Sequence, residues 1–341
     1  MRSALRVAVI GASGVVGEAL VRGLEERAFP VAELFALASP RSLGRKVRFG
    51  QADVPVDELA AFDFRRAEIA FFCAGAAVSR EHVPRATAAG CTVIDHSSAF
   101  RLEEDVPLVV PEVNAALIGQ YANRGLIANP NDSTIQLLVA LKPLHDVAGI
   151  ERINVATYQS VSGAGREAVE ELASQSAVLL NGRPIDAPRL IAKQIAFNCV
   201  PQIDRFEDNG YTKEEMKMFW ETQKIMEDPS IRVNATAVRV PVFYGHSEAV
   251  HIETRRKITA AQARSLLEKA PGVAVIDERR PGGYPTAVTE AANHDTVYVG
   301  RIREDMSHER GLDLWIVADN IRKGAATNSV QIAEILVSEY L

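Results

Sequence analysis

The run "LRVAVIGASGVVGEALVRGLEE", Leu5 to Glu26, constrains the fold more than any other stretch of the chain. A short apolar segment, three glycines and an apolar-periodic segment read in turn as strand, tight turn and helix. Such a turn offers backbone N–H groups and the positive end of a helix to a pyrophosphate. The glycines Gly11, Gly14 and Gly17 follow GxxGxxG rather than GxGxxG, and glycines can also serve only to tighten a turn. The strand-to-helix context favours a nucleotide site, with Gly11, Ser13, Gly14 and Val15 as cofactor-binding residues.

The alternation continues through "AELFALAS", "EIAFFCAG", "SREHVPRATAAG", "CTVIDHSS" and "GLIANP", which read as strand, strand, helix, strand and strand. The first ~130 residues therefore read as a doubly wound, mostly parallel sheet of Rossmann-like type. After Pro130 the pattern changes. "DSTIQLLVALKPLHDVA" reads as a long helix, "RINVATYQSVSG" as a strand and "GREAVEELASQSAVLL" as a helix. The runs "TAVRVPVFYGHSEAVHIETRR", "TVYVGRIRED" and "GLDLWIVADN" have strand composition, as in an α+β unit with an antiparallel sheet that would suit a dimer interface. The C-terminal "IRKGAATNSVQIAEILVSEYL" has the pattern of an amphipathic helix packed back on the first domain. The expected fold class is α/β, with a dinucleotide-binding domain at 1–130 and 320–341 and a substrate-binding, dimerising α+β domain at 131–319.

A chain of 341 residues suggests two domains, and 38 basic against 44 acidic residues, net charge -6, give no footprint for nucleic acid. No uncharged apolar run reaches membrane-spanning length and the N-terminus lacks a secretory pattern, so a cytoplasmic protein without a membrane partner is expected. Cys73, Cys91 and Cys199 are too widely spaced for a metal site or a disulfide framework, and no metal is expected. Cys73 and Cys91 read as buried apolar thiols of the first domain. The second strand ends in "ASPRSLGRK", with no carboxylate for a ribose 2′-hydroxyl; Ser39, Arg41 and Ser42 would suit a 2′-phosphate instead. NADP is expected over NAD; the lesser reading of Arg41 and Arg45 is a solvated basic loop.

The blocks "GASGVVGEAL", "SSAFR", "VPLVVPEVN", "IANPNDSTIQ", "TYQSVSGAG", "IAFNCVPQID", "VRVPVFYGHSE" and "DNIRKGAATNSVQIAE" resemble, in order, those of the aspartate-semialdehyde dehydrogenase family. The likeness runs nearly end to end. It implies a role in amino-acid biosynthesis, a homodimer, NADPH as reductant, and reductive dephosphorylation of L-aspartyl 4-phosphate. N-acetyl-glutamyl-phosphate reductase, with similar thioester logic, fits these blocks less well.

In the family a cysteine stands where this chain has Asp132, attacks the acyl phosphate and yields a thioester. The position explains the choice of a thiol, because a helix N-terminus lowers a cysteine pKa towards thiolate. A carboxylate there could form only a mixed anhydride and would meet an anionic substrate, so covalent turnover should fail. Asp132 also has a structural reading as N-cap of the helix, accepting from the N–H of Thr134 or Ile135. Among the cysteines, only Cys199 lies in the second domain as an alternative thiol.

The resemblance further assigns His246 as acid/base, Gln159 as the residue orienting substrate beside the nucleophile, and Arg239 as partner of the substrate carboxylate. Glu214 and Lys217 would bind the substrate amine and phosphate, and Arg101 with Asn131 would complete the phosphate pocket. Alone, "TKEEMKMFWETQK" reads as a solvated helix face with i,i+3 and i,i+4 pairs. Gly163 and Asn320 are placed by the resemblance beside the cofactor. A retained binding shell without its nucleophile points to weak or absent activity, or to a non-catalytic nucleotide-binding or regulatory dimer.

Overall fold

The structure, a computed structural model, describes residues 4–187 and 189–341. It divides into two compact units, 1–131 with 324–341, and 132–323. The expected division fell after Pro130 and before Asn320; Asn131 instead closes the first unit, and 320–323 stay with the second.

The first unit is a seven-stranded sheet in the order β3-β4-β2-β1-β5-β6-β7. Its strands are β1 (Leu5–Ile10), β2 (Val31–Ala38), β3 (Lys46–Phe49), β4 (Ala52–Glu58), β5 (Ile69–Phe72), β6 (Thr92–Asp95) and β7 (Leu126–Ala128). All neighbours are parallel except the β3–β4 hairpin. That hairpin was not expected. Helices α1 (Val15–Glu26), α2 (Ala76–Ala88) and the short α3 (Pro111–Asn114) join these strands. The core contains Val7, Val9, Leu20, Leu24, Ile69 and Phe71. The central strands are buried along nearly their whole length, as parallel strands covered on both faces must be. β1 lies between β2 and β5, so the point where strand order reverses is at the C-terminal end of β1, where Gly11 stands.

The second unit holds α4 (Asp132–Ala148), β8 (Ile150–Gln159), α5 (Arg166–Leu180), α6 (Lys213–Ile225), β9 (Arg232–Arg239), β10 (His246–Thr254), α7 (Ala260–Leu267), β11 (Val273–Val275), β12 (Val297–Glu304) and β13 (Gly311–Ala318). Its six-stranded sheet runs β11-β12-β13-β10-β8-β9. The sheet is mixed, not antiparallel as expected, because β9 pairs parallel with β8 and β11 with β12. α4 lies against β10 and β13. At the C-terminus α8 (Thr327–Ile335) packs on α1 within the first unit, which buries Val330 and Ala333. Among the described residues no helix is long and apolar enough to cross a membrane, and no cluster of side chains could hold a metal ion.

Candidate active site

The glycine turn of the first unit is built so closely that side chains have no room. Gly11 adopts φ +80°, and a Cβ there would lie 2.8 Å from the carbonyl oxygen of Cys73, just past the end of β5. At Gly17 a Cβ would stand 2.2 Å from the Gly11 carbonyl oxygen. Gly14 is the residue before α1, which begins at Val15 and presents its first N–H groups there. Ser13 Oγ lies 3.0 Å from Ser42 Oγ, so the turn and the segment after β2 share one site. Ser39 and Arg41 are exposed on that segment. Backbone cradle, helix N-terminus and adjoining basic loop fit a dinucleotide.

Arg101 and Asn131 also belong to the first unit and are buried. Arg101 donates from Nε to the carbonyl of Asn129 at 3.0 Å and from Nη2 to that of His96 at 2.7 Å.

In the second unit, Asp132, Gln159, Glu214, Lys217, Arg239 and His246 come together. Asp132 is the first residue inside α4 rather than its cap. Its Oδ1 accepts from the N–H of Ser133 at 3.0 Å, and Oδ2 lies 3.2 Å from His246 Nε2. The cap reading therefore gives way to an interaction across the site: the chain enters the helix one residue earlier, turning the carboxylate towards β10. Burial works against ionisation of Asp132, but the electrostatic pull and hydrogen bond of His246, the Ser133 N–H and Arg239 overcome it and hold the pKa at about 2. Asp132 stands as a carboxylate at neutral pH.

His246 opens β10 and is fully buried. The backbone N–H of Ser160 is 3.1 Å from its Nδ1, and a backbone N–H can only donate, so Nδ1 is the accepting nitrogen and Nε2 faces Asp132. Ser160 Oγ is also 3.1 Å from Nδ1. Behind it, Asn320 Oδ1 accepts from Ser160 Oγ at 3.1 Å, Ser162 Oγ at 3.2 Å and the Gly245 N–H at 3.0 Å. Asn320 Oδ1 thus braces the loop that holds His246. Ser160 and Ser162 were missed; "TYQSVSGAG" contains them, but nothing local marks them as partners of His246.

Gln159 Nε2 donates to Glu214 Oε1 at 3.0 Å, and Thr157 Oγ1 donates to Gln159 Oε1 at 3.0 Å. Because a carboxylate only accepts, this pair fixes the orientation of the Gln159 amide, whose Nε2 is also 3.3 Å from His246 Nε2. Glu214 is further held by Lys217 Nζ at 2.7 Å, and Lys217 reaches Asp204 at 3.3 Å. Burial raises the proton affinity of Glu214, Lys217 lowers it more than Asp132 restores it, and the net direction is down. The helix face expected to be solvated is instead buried at Glu214, Glu215 and Glu221. Arg239 is buried, donating to the Ser160 carbonyl at 2.7 Å; its own burial weakens its hold on its proton, and Glu214 and Asp132 counter this. Gly163 packs close to these groups: a Cβ there would lie 3.1 Å from Arg239 Nη1 and 3.5 Å from His246 Nε2.

The cysteines stand elsewhere. Cys91 is buried, and desolvation pushes its thiol up to about 12. Burial, then the charge of Asp95, pushes Cys73 up as well. Cys199 is exposed in a loop.

Two family models match: the semialdehyde dehydrogenase NAD binding domain over residues 6–121 and the semialdehyde dehydrogenase dimerisation domain over 141–323. The aspartate-semialdehyde dehydrogenase of Legionella pneumophila is 60% identical over 337 residues, 99% of this chain and 97% of that protein. This chain belongs to the aspartate-semialdehyde dehydrogenase family. The crystal structure of the Vibrio cholerae aspartate semialdehyde dehydrogenase II complexed with ASA superposes with a TM-score of 0.97 at 56% identity, covering 100% of each chain. A Candida albicans aspartate semialdehyde dehydrogenase, solved with NADP, matches at 25% identity with a TM-score of 0.74, over 98% of this chain and 99% of that one. As a family member the chain has the NAD(P)-binding and dimerisation domains of a semialdehyde dehydrogenase.

Proposed function

We propose that this chain is a cytoplasmic, homodimeric, NADP(H)-binding member of the family that binds the anionic ligands of L-aspartyl 4-phosphate reduction but turns them over weakly or not at all. The observation that carries this reading is Asp132. The side chain at the nucleophile position is a carboxylate 3.2 Å from His246, inside an otherwise complete shell of Gln159, Glu214, Lys217 and Arg239.

A thiolate displaces phosphate from an acyl phosphate and leaves a thioester, a good acceptor for the hydride that NADPH supplies when bound. A carboxylate at Asp132 displacing the same phosphate would form a mixed anhydride, and its negative charge opposes approach of the substrate. By analogy with removal of a nucleophile that acts together with its base, a loss of roughly 10^4-fold or more in turnover is expected. For the cofactor, Gly11, Ser13, Gly14 and Val15 would hold the pyrophosphate, and Ser39, Arg41 and Ser42 a 2′-phosphate. The absence of an acidic residue at the end of β2 and the NADP in the Candida structure support NADP over NAD. The dimerisation-domain match supports a homodimer.

The test is phosphate-dependent reduction of NADP+ by aspartate semialdehyde, comparing the chain with Asp132→Cys. Turnover appearing only with the cysteine supports the reading. Equal turnover in both would overturn it and point to another nucleophile. Silence in both, with the fold intact, would mean that the shell no longer suits this substrate.

A further inference from the structure

α4 and β10 pack against each other with matching repeats. Asp132 and Gln136 are four residues apart on one helix face, about 6 Å along the axis. His246 and Glu248 are two apart on one strand face, about 6.8 Å. The first rung of this ladder is the 3.2 Å approach of Asp132 to His246. The second brings Gln136 to Glu248. Both side chains are fully buried, and all four of their polar atoms, Gln136 Oε1 and Nε2 and Glu248 Oε1 and Oε2, stand without a hydrogen-bond partner. Four such atoms in one place would cost several kcal/mol.

Across the sheet Glu248 faces Thr157 on β8 and Ile316 on β13, and on α4 the charged group acting on it is Asp132. Among the described residues no cation acts on it. Burial first, and the Asp132 charge in addition, push its carboxyl well above the ordinary carboxylate range, with only the Gln136 amide acting the other way. The two carboxyls of the ladder are thus shifted in opposite directions, Asp132 down and Glu248 up.

We propose that Glu248 is a positioning residue: as a neutral acid it closes a reciprocal pair with the Gln136 amide, and this second rung fixes the first turn of α4 against His246. The acid O–H donates to Gln136 Oε1, and the acid carbonyl accepts from Gln136 Nε2. Such a pair satisfies all four atoms at once. A carboxylate could use only the N–H and would leave Gln136 Oε1 facing a negative charge. The pair concerns the architecture of the site and stands whether or not turnover is found.

The test uses the intact protein. An infrared difference spectrum of the parent minus Glu248→Gln at neutral pH should show the carbonyl band of a protonated carboxylic acid. The swapped variant Gln136→Glu with Glu248→Gln, which rebuilds the pair in reverse, should regain that band. Glu248→Gln alone can still close two amide hydrogen bonds and should unfold near the parent midpoint at acid pH, where Glu248 is protonated in the folded and the unfolded chain alike. Glu248→Ala should lower the folded-to-unfolded ratio roughly ten- to hundredfold. Positioning is read from non-additivity: the effect of Asp132→Asn should shrink in the Glu248→Ala background and persist in Glu248→Gln. A parent spectrum without the acid band, a swapped variant as impaired as Glu248→Ala, or additive effects of Asp132→Asn and Glu248→Ala would each overturn the proposal. Because Glu248→Gln is isosteric, the spectral arm remains decisive even if the alanine variant does not fold.

Discussion

Replacing Asp132 with asparagine removes a charge while keeping the shape, so it isolates what ionisation of this carboxyl contributes to the fold. Its pKa falls from the ordinary 3.8 to about 2 in the folded protein. At ~1.4 kcal/mol per pH unit, that is roughly 2.5 kcal/mol at neutral pH as an upper figure. The sign follows from proton binding. Between the two pKa values the unfolded chain binds more protons than the folded one, so the stabilisation is present above 3.8 and disappears as pH falls through about 2. Asp132→Asn should therefore be less stable than the parent at neutral pH by about 1 to 2.5 kcal/mol, and the difference should close on acidification. Urea unfolding followed by tryptophan fluorescence reads the relevant unit, because Trp220 and Trp315 both lie in it. Equal stability at neutral pH would show that the approach to His246 contributes nothing. A difference independent of pH would assign the loss to packing instead of charge.

Gly17→Ala places a methyl 2.2 Å from the Gly11 carbonyl oxygen, so it should destabilise the first unit by about 1 to 3 kcal/mol and abolish NADP+ binding, measured by calorimetric titration. Gly163→Ala meets Arg239 Nη1 at 3.1 Å and leaves the core untouched; in the Asp132→Cys background it should reduce kcat/KM by an order of magnitude or so without moving the melting temperature. Arg41→Ala should weaken NADP+ binding by about 1 to 2 kcal/mol and leave NAD+ binding unchanged, a comparison that also tests the cofactor preference. Stability of the parent should fall relative to Glu248→Gln as pH rises from 4.5 through neutrality, since a carboxyl with raised pKa favours folding only while the unfolded chain also keeps its proton.

The parts of this fold that local chemistry dictates were legible in the chain itself. Gly11 and Gly17 stand where only glycine fits, and "DSTIQLLVALKPLHDVA" coincides with α4 residue for residue. The β3–β4 hairpin escaped notice because Pro55 interrupts its second strand and its residues alternate weakly. Parallel pairing of β9 with β8 could not be read, because it is set by long-range packing across a connection that carries both α5 and α6. At the site, residue types and their blocks identified Asp132, Gln159, Glu214, Arg239 and His246. What they could not convey was which partners each group would meet. Nothing local announced that Asn320 Oδ1 would bond to Ser160 and Ser162, or that Glu248 would be fully buried on β10.

The same charges also bear on what an exchange between carboxylate and thiol at position 132 would do to the fold. The helix N-terminus, the Ser133 N–H, His246 and Arg239 are the groups that would favour a thiolate at this position, and each favours a carboxylate for the same electrostatic reason. The fold is therefore not strained by the exchange. A thiol, which holds its proton to higher pH, would draw less stabilisation from the same field at neutrality. Asp132→Cys should then unfold more readily than the parent at neutral pH by about 1 kcal/mol or more, in the same variant expected to gain turnover. If the cysteine variant were both more active and more stable, the surrounding groups would have to be matched to sulfur in a way that their charges alone do not account for.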